Sequence, residues 1–392
     1  MMNIILFDDE RRAHLLPLTF TRPVADLRIG ILTIKEKWEK VTNLPVSFLS
    51  QDYLQQKFPL VVSDDNILIA GSLLPTEQLW EKIAALEPGQ ALVCQGELLA
   101  ARNNTTHLQT IAAGYKVQPF VLNTPRVSDL WDIFSLNGAA IKDDYALLTK
   151  GRVSQIIDKS NTVLGTEIFV EEGAKISCSV LNASQGPIYI GKNAEIWEGS
   201  LIRGPFALCE SASVKMGAKI YGATTIGPES RVGGEISNVV IQGFSNKGHD
   251  GFLGNAVLGE WCNIGADSNN SNLKNNYAEV KVWNYPLQRF VPTGLQFCGL
   301  IMGDHSKCGI NTMFNTGTVV GVSANIFGAG FPRNFIPSFT WGGPQGTTEY
   351  LLEKASETAR LVMIRRGKKF DGLEQDIFYK VFELTKSFRQ GG

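Results

Sequence analysis

A step of six residues runs through the middle of this chain and limits its fold more than any other feature. From Ile190 onward every sixth residue is aliphatic: Ile190, Ile196, Ile202, Leu208, Val214, Ile220, Ile226 and Val232. Four residues after each of the first seven stand Ala194, Ser200, Phe206, Ala212, Ala218, Thr224 and Ser230, all small except Phe206. A hexad with one inward aliphatic and one turn residue makes one flat strand and one corner, so three hexads close a triangular coil of about 18 residues. Each coil buries its apolar row only against the next, which is the logic of a solenoid. The phase breaks by two residues after Val232, resumes at Val240, meets a polar Asn246, and continues as Phe252, Leu258 and Ile264. It returns as Met302, Cys308, Phe314, Val320 and Ile326, with Thr312, Thr318, Ala324 and Gly330 in the small slot. A scaffold or spacer without activity satisfies the repeat by itself, so function has to be sought where the repeat breaks.

The 392 residues exceed what one core usually supports, and glycine usage divides them. Only six of the 39 glycines precede residue 150. The reading is therefore an α/β domain over 1–150, a β-helix over 151–345 and a helical segment over 346–392. In the first part, Asn3–Phe7 and Asn66–Ala70 read as strands, and Ile31–Val41 and Thr76–Leu86 as helices. Thr347–Ile364 and Leu373–Phe388 read as two further helices. With 37 basic and 38 acidic residues the net charge is −1, which excludes an electrostatic binder of nucleic acid or of a membrane surface. Six cysteines without a C-x-x-C pair argue against a zinc site or a disulfide framework and point to a reduced, cytoplasmic setting. No apolar run reaches the roughly 18 residues of a spanning helix, and the N-terminus lacks an export signal, so no membrane partner is expected.

The repeat departs from its own packing rule at Gly233-Gly234-Glu235 and again at Ser245-Asn246-Lys247-Gly248-His249-Asp250. His249, one of four histidines, falls there between glycines on a polar loop. A lone histidine is more often a surface or structural residue than a catalyst. Acyl transfer from a thioester to an amine or hydroxyl, however, needs a base near neutral pKa, a carboxylate to orient it and a donor for the oxyanion. Glu235 and Asp250 are candidate orienters, and Lys247, Asn269, Asn270, Lys274 and Asn275 form a patch suited either to sugar or phosphate oxygens or to plain solvation.

Residues 232–283 resemble the acetyltransferase half of the bifunctional N-acetylglucosamine-1-phosphate uridylyltransferase/glucosamine-1-phosphate acetyltransferase family and its sugar-nucleotidyltransferase relatives. The match lies in His249, Phe252-Leu253-Gly254 and Asn263-Ile264-Gly265-Ala266, with Glu235 fourteen positions before the histidine. The resemblance implies a left-handed parallel β-helix of hexapeptide-repeat acyltransferase type. It further implies His249 as general base with Glu235 as its support, Asn263 as a sugar contact, and Ala266 and Asn272 on the acetyl-CoA side. Phe252 falls at an implied substrate-binding position, and Lys247, in the polar patch, is a further candidate substrate contact. Phe252 stands where the family has a substrate-binding tyrosine, and Leu273 where a second tyrosine is usual. A homotrimer, with active sites between neighbouring β-helices, is implied in the same way. The apolar excursion from Trp283 to Leu300 suits either a neighbouring subunit or an intramolecular cover.

Residues 3–39 resemble the start of sugar-1-phosphate nucleotidylyltransferases, with Leu16-Pro17-Leu18-Thr19 and Arg22-Pro23 at family positions. Asp8-Asp9-Glu10-Arg11-Arg12 occupies the place of the family's glycine-rich loop, and Ser72 that of its Mg²⁺-holding aspartate. Carboxylates there repel triphosphate oxygens that glycine N–H groups would cradle. Arg11, Arg12, Arg22 and Arg28 remain candidate phosphate donors, and Asp8 and Asp9 either hold a metal in a rearranged site or form a solvated acidic turn. The expected protein is a transferase that acylates a sugar phosphate or nucleotide sugar from acetyl-CoA. Magnesium-dependent nucleotidyl transfer by the N-terminal domain and a non-catalytic trimeric binding module are the alternatives.

Overall fold

The computed structural model describes residues 2–103, 115–120 and 124–389. They form two compact units. The first comprises residues 1–15, 21–27 and 32–129, and the second comprises 16–20, 28–31 and 130–392. The chain thus leaves the first unit at Asp129, about twenty residues before the glycine usage changes.

The first unit is built on a six-stranded mixed sheet. Its apolar strand Met2–Phe7 lies between the parallel strands Val46–Leu49 and Asp65–Ala70. Glu97–Asn103 then runs antiparallel to Asp65–Ala70 and carries Gln90–Cys94 and Lys116–Pro119 at the far side. Helix Ile34–Thr42 begins with a capping box, the Thr33 hydroxyl accepting from the Glu36 N–H and the Glu36 carboxylate from the Thr33 N–H. Trp38 on that helix is fully buried and donates its indole N–H to the Leu73 carbonyl at 3.0 Å.

The second unit is a parallel β-helix. Its three faces are columns of two- and three-residue strands, for example Val180–Asn182, Ile188–Ile190 and Glu195–Ile196 in one coil and Leu201–Arg203, Phe206–Leu208 and Ser213–Val214 in the next. Ile196, Val214, Val232 and Ile264 are among the residues of one continuous core, each stacked on its counterpart a coil away. Burial of such an aliphatic contributes about 1.5–3 kcal/mol, so the period of six is the period of the core.

The register differs from the sequence reading after Val232. Ile236, Ile241, Lys247, Leu253 and Leu258 take the inward positions, rather than Val240, Asn246 and Phe252. Val214 stacks on Val232, eighteen residues on, but Val232 stacks on Lys247, only fifteen on, so this coil is short and the phase moves. Asn246 therefore faces outward, and its Oδ1 accepts from Arg366 Nη2 at 3.0 Å. The inward place falls to a lysine.

Elements outside the coil cover it. Helix Asn137–Thr149 packs on one face: Asn137 Oδ1 accepts from Thr225 Oγ1 at 3.0 Å and from the Gly30 N–H at 2.7 Å, and Asp144 accepts from the Ile31 N–H at 2.7 Å. The segment 283–300 overlaps a hairpin, Lys281–Asn284 against Arg289–Pro292. Tyr285 is buried edge-on to Phe20, Phe335 and Phe388, so this part of the excursion is an intramolecular cover, although Phe290 and Phe297 are exposed. At the C-terminus a hairpin strand, Gly346–Glu349, precedes helix Leu352–Ile364, and helix Gly372–Leu384 follows. Thr347 does not begin a helix as its pattern predicts; it pairs with Gly342 in that hairpin. These helices lie along one corner where Phe244, Trp261, His305 and Phe339 all have left-handed φ. Phe244 stacks on Trp261 at 4.3 Å, and Phe378 meets both His305 and Phe339 edge-on.

Candidate active site

The shortened coil and the one above it build a single polar corner. Asn246–Lys247 ends one face, Phe252–Glu260 begins the next, and residues 248–251 turn between them. Beneath lies the corner Gly233-Gly234. A Cβ on Gly233 would come within 2.7 Å of the Gly248 carbonyl oxygen, and one on Gly234 (φ +74°) within 2.7 Å of that of His249. Glycine is required there so that the upper turn can rest directly on the lower. The contact is sealed by Gly233 N–H donating to the Lys247 carbonyl at 2.8 Å and Glu235 N–H to that of Gly251 at 3.3 Å.

Five of the residues singled out in the sequence meet here. His249 and Asp250 are exposed at the turn, Glu235 and Phe252 are half-buried register partners on adjacent coils, and Lys247 lies beneath. The Glu235 carboxylate accepts from the Tyr221 hydroxyl at 2.6 Å and pairs with Lys219 Nζ at 3.5 Å. Among the described residues no hydrogen bond joins it to His249. The bond to Glu235 pushes the Tyr221 phenol up to about 12, since its deprotonation would place two anions side by side.

Lys247 does not reach outward. It is 1 % exposed, and its Nζ donates to the carbonyls of Gly233, His249 and Asp250. Burial pushes its ammonium down to about 8. Its expected place in an exposed substrate patch is thus replaced by one inside the coil, because the phase shift turned residue 247 inward.

The remaining candidates stand on neighbouring coils. Asn263 is exposed and pairs in register with Asn246. Ala266 is half-buried, and its carbonyl accepts from the Asn311 N–H at 2.9 Å. Asn272, half-buried, donates its Nδ2 to Asn255 Oδ1 at 2.7 Å. Asn269 Oδ1 accepts from the Phe252 N–H at 2.7 Å, and Asn270 is buried with its amide on Gly254, so these two amides serve the coil.

In the first unit the acidic loop forms a closed ionic network. Asp8 accepts from Ser50 and from the Val24 N–H and lies 3.2 Å from Arg12 Nε. Burial raises its pKa despite these partners. Asp9 accepts from Arg126 Nη2 at 3.1 Å, from Ser72 and from the Arg11 N–H. Arg126 and Arg11 both pair with Glu97; against its partial burial they hold that carboxyl below its usual range. Arg22 lies 3.6 Å from Asp26. In the second unit, Arg28 donates to the Gln242 and Ile31 carbonyls. The two aspartates are neither a solvated turn nor a cation cradle, since each carboxylate is buried and occupied by cationic and hydroxyl partners. Among the described residues no group of three or more His, Cys, Asp or Glu can hold a metal ion. Arg126 and Glu97 escaped the sequence reading because no motif links positions so distant from Asp9. Tyr221 was legible in principle, standing one coil before Glu235 on the same outer face.

Among the described residues no helix is long and apolar enough to cross a membrane. The family model described as sugar nucleotidyl transferase matches residues 4–153. The chain is similar to a bifunctional sugar-1-phosphate nucleotidylyltransferase/acetyltransferase of Sulfurisphaera tokodaii, 28 % identical over 179 residues, or 45 % of this chain and 44 % of that one. It is similar as well to an uncharacterized acetyltransferase, YaiX, of Escherichia coli, 24 % identical over 190 residues, or 48 % of this chain and 75 % of that one. The chain therefore spans less than half the length of the first relative. Among solved structures, the UDP-N-acetylglucosamine acyltransferase of Arabidopsis aligns over 60 % of this chain and 92 % of its own at 15 % identity and a TM-score of 0.25. That of Campylobacter jejuni aligns over 59 % and 83 % at 17 % identity and 0.27. Residues 4–153 thus match the sugar nucleotidyl transferase family, and the curated relatives that the chain resembles over nearly half its length are named as transferases.

Proposed function

We propose that the β-helix transfers an acetyl group from acetyl-CoA to a sugar phosphate or nucleotide sugar, with His249 as general base. The observation that carries this reading is an exposed imidazole on a turn clamped from below by two glycines and a lysine, with a carboxylate on the adjoining coil. His249 takes the proton from the acceptor hydroxyl or amine as that atom bonds to the acyl carbon, and returns it to the thiolate that departs when the C–S bond breaks. Glu235 supports His249 from the adjoining coil, where Tyr221 and Lys219 hold its carboxylate in place. Acetyl-CoA supplies the activated acyl carbon; Ala266 and Asn272 are on the side that would hold it, and Asn263 is the proposed sugar contact. Phe252 presents an apolar edge where a hydroxyl is usual in the resembling family, which selects an acceptor that needs no hydrogen bond there.

The acceptor cleft is completed by further copies of the chain. Leu164, Leu201 and Tyr221 are exposed and point outward on one β-helix face, where a cyclic trimer would cover them. Saturable thiol release from acetyl-CoA with at least one member of a panel of amino sugars, sugar phosphates and nucleotide sugars supports the reading. Background release with every member refutes it.

The match over residues 4–153 favours a role for the first unit in holding a nucleotide sugar. Magnesium does not fit its acidic loop, so no transfer step is assigned to it. Titration calorimetry with nucleotide sugars should give the same affinity with and without Mg²⁺; a strict requirement for Mg²⁺ would restore nucleotidyl transfer as the function of this unit.

A further inference from the structure

The core column of the β-helix admits a charge at one place. Val232 lies in register below Lys247, and Ile264 belongs to the same core. An aliphatic side chain would satisfy that slot with no desolvation cost, so a lysine there works against packing. What it gains is local: Nζ lies 3.2 Å from the Gly233 carbonyl oxygen and 3.2 Å from that of Asp250, and donates also to His249. One ammonium thereby bridges the lower coil to the turn above it, and two of its three acceptors belong to the turn that carries the imidazole. The turn is held from above as well, since Asp250 O accepts from the Asp267 N–H at 3.1 Å.

We propose that Lys247 is a positioning residue whose inward ammonium fixes the backbone of the His249 turn and so sets where the imidazole stands. The proposal rests on the reading of His249 as a base, but its structural half is measurable without any turnover. Lys247→Met keeps the length of the side chain and removes all three donors.

The test compares the native chain, Lys247→Met, Lys247→Arg and His249→Ala. Amide hydrogen exchange of residues 248–251 should accelerate at least tenfold in Lys247→Met, while exchange of the neighbouring strands stays native and the melting temperature is unchanged or higher. With acetyl-CoA and the acceptor found in the panel, kcat should fall at least tenfold and KM for acetyl-CoA stay within twofold, and Lys247→Arg should recover part of the loss. Unaltered exchange in the turn overturns the proposal, and so does a general rise in exchange with a lower melting temperature, which would make Lys247 a core residue only. If His249→Ala keeps native turnover, the base reading falls and the exchange result still decides the role of Lys247 in the turn.

Discussion

The Tyr221 hydroxyl donates to Glu235 Oε1 at 2.6 Å, linking two coils on the outer face beside the His249 turn. That bond holds a carboxylate in place without discharging it, because the phenol keeps its proton far above neutral pH. Tyr221→Phe should therefore lower kcat by a few-fold, and Glu235→Gln, which removes the charge, by about 10- to 100-fold. Steady-state kinetics on the two variants check the order; equal losses would mean that the bond rather than the charge matters.

Stability should depend on pH through Lys247. Its ammonium faces Asp250, Asp267 and Cys308 and is held down to about 8 by burial, against 10.5 for an ordinary lysine. Between those values the unfolded chain binds the extra proton and the folded chain does not, so stability rises with pH by up to about 1.4 kcal/mol per unit. Denaturant melts at pH 7.5, 8.5 and 9.5 should follow that slope in the native chain and lose it in Lys247→Met. A native slope of the opposite sign contradicts the assignment.

The network in the first unit should be structural. Arg126 is nearly buried, bonds Asp9, Ser72 and Glu97, and leaves Asp9 without its cation when removed. Arg126→Met should cost about 3–5 kcal/mol in that unit. Glu97, held low by Arg126 and Arg11, adds stability that is present above its unfolded value and lost as pH falls through its folded one, so acid unfolding should start earlier in the variant. Native stability in Arg126→Met would leave the arginine free for a ligand.

The C-terminal helices should hold the β-helix corner. Phe378 is buried against His305, Phe339 and Phe370, and Phe378→Ala should cost about 3–5 kcal/mol by thermal or denaturant unfolding. An unchanged melting curve would mean that the segment is dispensable.

The coil was legible because a core with a fixed period writes it into the chain: Ile196, Val214 and Val232 stand where a step of six puts them. The same arithmetic misplaced Val240, Asn246 and Phe252, since the coil that stacks Lys247 on Val232 takes fewer residues than the one that stacks Val232 on Val214. His249 and Glu235 were visible as interruptions of the repeat. The aim of Lys247 was not, because inward and outward positions exchange when the phase moves by one. Arg126 closes on Asp9 through the fold of the first unit, and nothing local in either segment announces the pair. The helices 132–149 read as part of the α/β domain by glycine usage, yet their contacts with Thr225 and Ala223 belong to the β-helix.

The central claim, that the imidazole of residue 249 removes the acceptor proton, is tested most directly by single-turnover acetyl transfer with native chain and His249→Ala on the same acceptor. The account predicts a drop of about 100- to 10,000-fold in the variant, with acetyl-CoA affinity unchanged. Equal rates in the two proteins would contradict it.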